Sequence, residues 1–122
     1  MSMDPALLQV PLSATILDTA RAIQQNNLRC VFLTDGEKVV GVCSQGDIMK
    51  SLLRGGNVYT PVEKIMMTNL RYLRSRDWDT AQRWIRELGI TVVPILDAEF
   101  RLTDAITLPM VLDRLASRTA GA

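Results

Sequence analysis

Histidine does not occur anywhere in this 122-residue chain. Its absence removes the Ser-His and Cys-His nucleophile pairs and the commonest transition-metal ligand. Cysteine occurs only at Cys30 and Cys43, with no Cys-x-x-Cys spacing, so a zinc site would be short of ligands. No pair of carboxylates stands out, and there is no Gly-x-x-x-x-Gly-Lys phosphate loop. The sequence therefore predicts no catalytic residue, no metal site and no enzyme. Long apolar runs are missing as well, so no segment is expected to insert into a membrane. Met1-Ser2-Met3-Asp4-Pro5 lacks the charged-then-apolar pattern of a secretory signal, which makes a cytoplasmic setting the expectation. Charge of one sign is not in excess either. Fourteen Lys+Arg stand against 13 Asp+Glu, a net charge of +1 that argues against a dedicated nucleic-acid binder. Arginines are scattered through the second half, but Arg83 and Arg86 share a predicted helix with Trp84 and read as its solvated face.

What is present is an ordinary globular composition, 48% hydrophobic and 22% charged, in a length that suits one compact domain. Leu8-Gln9-Val10 reads as a short strand before Pro11. Ser13 or Thr15 then caps a helix carrying Ile16, Leu17, Ala20 and Ile23, with Thr15-x-x-Asp18 as a capping box and Asn26-Asn27 at its end. Leu28 to Thr34 is a β-rich strand, Asp35-Gly36-Glu37 turns, and Lys38 to Cys43 returns. A regular hairpin would set Thr34 opposite Val39 and Cys30 opposite Cys43. The two thiols would then be cross-strand neighbours, acting as small buried apolar groups or, alternatively, as a redox pair.

The stretch from Gly41 to Met49 joins architecture to chemistry. Val40-Gly41-Val42 ends a buried strand, and Ser44-Gln45-Gly46-Asp47 opens a helix with Ile48, Met49, Leu52 and Leu53, stopped by Gly55-Gly56. A helix N-terminus offers backbone N–H groups and a positive dipole end to an anion. Ser44 and Asp47 beside it suit a sugar hydroxyl next to a phosphate. The same Ser44-x-x-Asp47 also fits a plain capping box, and the local pattern leaves both readings open.

The order strand, helix, strand, strand, helix is then repeated. Asp77 or Asp79 caps a helix with Ala81, Trp84, Ile85 and Leu88, and Gly89 ends it where Asn27 ended the first. Ile90 to Asp97 and Leu102 to Ile106 are the strands, and Thr107 precedes a helix as Ser44 did. The boundaries are 1–57 and 58–122, with Gly55 to Thr60 a linker that is flexible by composition. Neither copy is large enough to cover both faces of its sheet, so the copies should pack sheet against sheet.

Tandem β-α-β-β-α units, Val40-Gly41-Val42-x-Ser44-x-x-Asp47-Ile48, Val62-x-x-Ile65-Met66 and Val93-Pro94-Ile95-Leu96-Asp97 together resemble the CBS domain pair, or Bateman module. The resemblance covers essentially the whole chain. It implies an α/β fold of the α+β type, in which two CBS repeats pack sheet to sheet about a pseudo-two-fold axis. It also implies a regulatory module that binds an adenosine-type ligand (AMP, ADP, ATP, S-adenosylmethionine or another) in the cleft between repeats and signals to a partner domain or protein. By the same resemblance Asp47 is the ribose acceptor with Ser44 its neighbour, Arg29 a phosphate contact, and Thr68, Asn69 and Arg71 further lining. The second copy departs from the pattern: Asp104 replaces a glycine and Met110 the ribose carboxylate, leaving Thr107 and Met110 as a degenerate second site. The resemblance further implies a homodimer through the helices, for which Trp84 and Leu115 are candidates, although Trp84 also reads as core. The rival function is a dimerisation module that binds no ligand.

Overall fold

The structure is a computed structural model and describes residues 3–120. Helix α1 (Ile16–Asn26) begins where the sequence places it. Thr15 Oγ1 accepts from the Asp18 N–H, the Asp18 carboxylate accepts from the Thr15 N–H, and Asn27 closes the helix at φ 57°. Its buried face, Ile16, Thr19, Ile23 and Asn26, follows the helical repeat. Strand β1 (Gln9–Pro11) runs parallel to β2 (Cys30–Asp35), which pairs antiparallel with β3 (Lys38–Ser44). Helix α2 (Gln45–Leu53) follows β3 without a break.

The second half repeats the plan with one strand reduced. Helix α3 (Trp78–Leu88) is capped by Asp77 and ended by Gly89 at φ 68°; β4 (Val92–Leu96) and β5 (Leu102–Thr107) are antiparallel, and α4 (Leu108–Ala120) follows. The counterpart of β1 shrinks to a single parallel bridge between Leu73 and Ile95. Leu73 N–H donates to the Pro94 carbonyl at 2.9 Å, and Leu96 N–H donates back to Leu73 at 2.9 Å. Extending that ladder toward Arg71 would require an N–H on Pro94, which has none.

Alternation along the strands gives each sheet two covered faces. Val31, Leu33 and Cys43 join Ile16, Ile23 and Ile48 beneath the first pair of helices, while Val93, Ile95 and Ile106 join Ala81 and Ile85 beneath the second. Between the sheets, Phe32 and Val39 meet Val92, Leu96, Leu102 and Ala105, with Leu8 and Leu28 at the margin. The layers are helices, sheet, sheet, helices, which is the expected sheet-to-sheet packing.

Two expectations need correction. The hairpin contains a bulge: Thr34 faces Val39, but Leu33 faces Gly41, so Val40 is the extra residue. Cys30 therefore faces Ser44 and Cys43 faces Val31. The pleat puts the thiols on opposite faces of the sheet, Cys43 toward α1 and Cys30 toward the inter-sheet core. The linker, read as flexible from composition, is tied down. The N–H groups of Ile16 and Leu17, which have no partner inside α1, donate to the Thr60 and Val58 carbonyls, each at 2.9 Å. Beyond it, Val62 is fully buried against the first sheet and donates its N–H to Ala14.

Candidate functional site

The Ser44 stretch forms a complete capping box. Asp47 N–H donates to Ser44 Oγ at 3.1 Å, and Ser44 N–H donates to Asp47 Oδ2 at 2.9 Å. The next N–H of the first turn, that of Gln45, donates to the Arg29 carbonyl at 2.8 Å and fixes the helix start against the loop before β2. That loop is in turn held by the buried Asn26. Its amide donates to the carbonyls of Leu7 (3.1 Å) and Cys30 (3.0 Å), and its oxygen accepts from Leu28 N–H at 2.7 Å. On the far side, the extended run that begins at Met67 is held to β3: Val42 and Met67 exchange both backbone hydrogen bonds, at 2.9 and 2.8 Å. Gly41 makes this approach possible, because a Cβ there would stand 2.8 Å from Met66 Sδ and 2.9 Å from the Met67 carbonyl.

These supports frame a cleft of about 930 Å³ between the two repeats. Ser44, Asp47, Arg29, Asn69 and Arg71 all line it. Thr68 does not: it lies between Met67 and Asn69 with its side chain exposed, outside the lining. Sequence reasoning missed Gln45 and Gly46 at the helix start, the apolar contributors Met49, Met67 and Leu70, and the whole edge from Leu88 to Val92. Thr91 is the instructive case. Its carbonyl accepts from Leu108 N–H at 2.8 Å, as that of Arg29 accepts from Gln45, so the two residues hold matching places in their repeats. The Thr91 hydroxyl then donates to the Leu28 carbonyl, bringing the two strand starts together at the cleft. The repeat, used as a spatial symmetry, was the signal that could have found it.

The electrostatics of the lining are simple. Arg29 and Arg71 bring positive charge, Asp47 one negative charge, and the α2 N-terminus the positive end of its dipole. Cys30 also lines the cleft, and burial pushes its thiol up to about 12. Burial, with the Asp47 carboxylate and Cys30 nearby, pushes Cys43 up to about 12 as well. Both are neutral thiols under ordinary conditions.

Thr107 and Met110 lie elsewhere, outside this cleft. Met110 N–H donates to Thr107 Oγ1 at 3.3 Å, so the cap survives, and both residues are almost fully buried. Asp104 is engaged by Arg76 in a 3.1 Å ion pair. Of the interface candidates, Trp84 packs against the core beneath the second helices with Arg71 over its ring at 5.7 Å, and Leu115 is 37% exposed.

Comparison with known proteins agrees with this architecture. A family model described as CBS domain matches residues 2–54. The CBS domain protein PAE2072 from Pyrobaculum aerophilum, complexed with AMP, superposes with a TM-score of 0.74 over 93% of this chain and 97% of its own, at 20% identity. The CBS domain pair of protein MJ0100, in complex with 5'-methylthioadenosine and S-adenosyl-L-methionine, gives 0.78 over 97% and 93%, also at 20% identity. Our chain has the fold of a CBS domain pair, and its first half matches the CBS family. Among curated relatives, arabinose 5-phosphate isomerase GutQ of Shigella flexneri is 34% identical over 111 residues. That match takes in 88% of this CBS pair but only 34% of the isomerase, so the chain spans about a third of the length of the curated relatives it matches. Among the described residues, no helix of the pair is long and apolar enough to cross a membrane.

Proposed function

We propose that this CBS pair is a regulatory module that binds an adenosine-type nucleotide in the cleft between its repeats. The observation that carries the proposal is the gathering of Ser44, Asp47, Arg29, Asn69 and Arg71 around one 930 Å³ cavity to which both repeats contribute. In this reading Asp47 accepts from the ribose hydroxyls through the carboxylate oxygen not used by the Ser44 N–H. The α2 N-terminus and the arginines face the phosphate, and the apolar lining, Met49, Met67 and Ile90 among it, takes the base. The ligands recorded with the Pyrobaculum protein and the MJ0100 pair support an adenosyl compound. Binding between repeats would shift their relation and so act on a partner domain or protein in the cytoplasm, with no catalytic step in the pair itself. A longer chain, as in the isomerase relatives, is one natural setting for such a partner.

A second reading is favoured by one specific observation: Ser44 and Asp47 satisfy each other in a capping box, which a scaffold would need in any case. In that reading the pair only dimerises, through helices that expose Leu52, Leu53, Leu112 and Leu115. A thermal-shift series with AMP, ATP and S-adenosylmethionine on wild type and Asp47→Ala separates the two. Ligand at 100 times its Kd adds about 2.7 kcal/mol to wild-type stability, and this gain disappears in Asp47→Ala. The variant's own loss of the capping box costs about 0.5–2 kcal/mol in either case. No shift with any of the three, from well-folded wild type, would favour the dimerisation module.

A further inference from the structure

The run between Met67 and Leu73 passes from one repeat to the other. At its start Met67 is paired with Val42 of β3, and at its end Leu73 is paired with Pro94 and Leu96 of β4. Among the described residues, 68–72 make no backbone hydrogen bond, so side chains do the holding there. Leu70 and Tyr72 pack on the core between the sheets, and Asn69 and Arg71 alternate with them along the cleft.

Arg71 also reaches helix α3. Its guanidinium lies over the Trp84 ring, 5.7 Å from the centroid. Arg76 and Arg101 are engaged by carboxylates, but among the described residues Arg71 forms no ion pair, which leaves the indole as its restraint. An arginine loses much rotamer freedom when it is fixed on a ligand, and a ring that fixes it beforehand removes that cost from binding. Trp84 in turn packs on the core beneath α3 and stands one turn before Leu88, which itself lines the cleft. One side chain thus touches both the second repeat's core and the charged lining of the cleft.

We infer that Trp84 is a positioning residue for the cleft: its indole holds the Arg71 guanidinium in place, so ligand binding and the packing of α3 act on each other through this pair. Coupling of this kind is reciprocal. A ligand that binds against Arg71 steadies Trp84 and α3, and a partner or substitution that moves Trp84 weakens the hold on the ligand. The inference rests on the reading of the cleft as an adenosine-type site whose arginines face the phosphate.

Fluorescence and calorimetry test it together. The chain holds two tryptophans, so Trp78→Phe leaves Trp84 as the sole indole reporter. Its emission should shift as AMP is titrated, and should stay unchanged at saturating AMP once Arg71→Gln is added. In calorimetric titration, Trp84→Leu should bind AMP about 2- to 5-fold more weakly than wild type, the range expected for one exposed cation–π pair. Trp84→Phe, which keeps an aromatic face, should restore most of that affinity. Adenosine offers Arg71 no phosphate and should bind wild type and both Trp84 variants alike. Emission that ignores saturating AMP, AMP affinity that is unchanged or raised in Trp84→Leu, or an equal loss for AMP and adenosine would overturn the inference alone. Should Trp84→Leu not fold, the two emission titrations decide by themselves. Binding of neither ligand by folded wild type would overturn it together with the adenosine-site reading.

Discussion

Cys30 and Cys43 show how a single extra residue decides chemistry. Counting back from the Asp35-Gly36 turn places the thiols face to face, and the Val40 bulge turns them to opposite sides of the sheet. The lone Gly41 inside the strand is a local sign of a bulge or a close backbone approach, but Lys38-Val39-Val40-Gly41 does not tell which of the two or which residue is extra, so the register was not legible in the sequence. Each thiol titrates at 9.0 when unperturbed and at about 12 in the fold, because burial disfavours the thiolate. The stability tied to these groups is complete below pH 9, where both states hold the proton. It is lost as pH rises toward 12, because the unfolded chain ionises first. A disulfide-exchange reagent at pH 8 should leave native protein almost unlabelled and titrate both cysteines in urea. Rapid labelling of folded protein would contradict the assigned burial. Caps, by contrast, are local chemistry and were largely legible. Thr15-x-x-Asp18, Ser44-x-x-Asp47, Asn27 and Gly89 act where the sequence places them, and between the alternatives it left open the structure takes Thr15 over Ser13 and Asp77 over Asp79.

At the scale of elements, long-range pairing explains what the sequence concealed. The missing counterpart of β1 follows from Pro94, whose own strand was easy to read but whose effect falls on a segment twenty residues away in contact. The run from Met67 to Arg71 has no strand pattern, yet one bridge to Val42 positions it along the cleft. That bridge depends on Gly41. Gly41→Ala would drive a methyl group into Met66 Sδ and the Met67 carbonyl, and a backbone carbonyl cannot swing away as a side chain can. We expect a loss of about 1–3 kcal/mol, the usual cost of overpacking, read as a lower urea midpoint with an unchanged m-value. An unaffected midpoint would mean that the run is not docked on β3 as described.

For the whole molecule, the decisive feature is that the two repeats share their inner core and their cleft. Phe32 and Val39 pack on Val92 and Leu96, and the lining draws Arg29 and Asp47 from one repeat and Thr91 from the other. A ligand held there contacts both halves, which is what a regulatory role would need. The sequence made the first repeat's contribution readable because Arg29, Ser44 and Asp47 sit at motif positions. It concealed Ile90 and Thr91, whose place in the cleft exists only once the repeats are docked. The proposed asymmetry of the pair has the same origin. Thr107 keeps its cap, but Met110 stands buried where the first repeat has Asp47.

The central claim, one nucleotide per chain held at Asp47, is tested most directly by the stoichiometry of AMP binding. Calorimetric titration of wild type, Asp47→Ala and Thr107→Ala should give one site per chain, weakened about 10- to 100-fold by Asp47→Ala and unchanged by Thr107→Ala. Two equivalent sites, or wild-type affinity in Asp47→Ala, would contradict it.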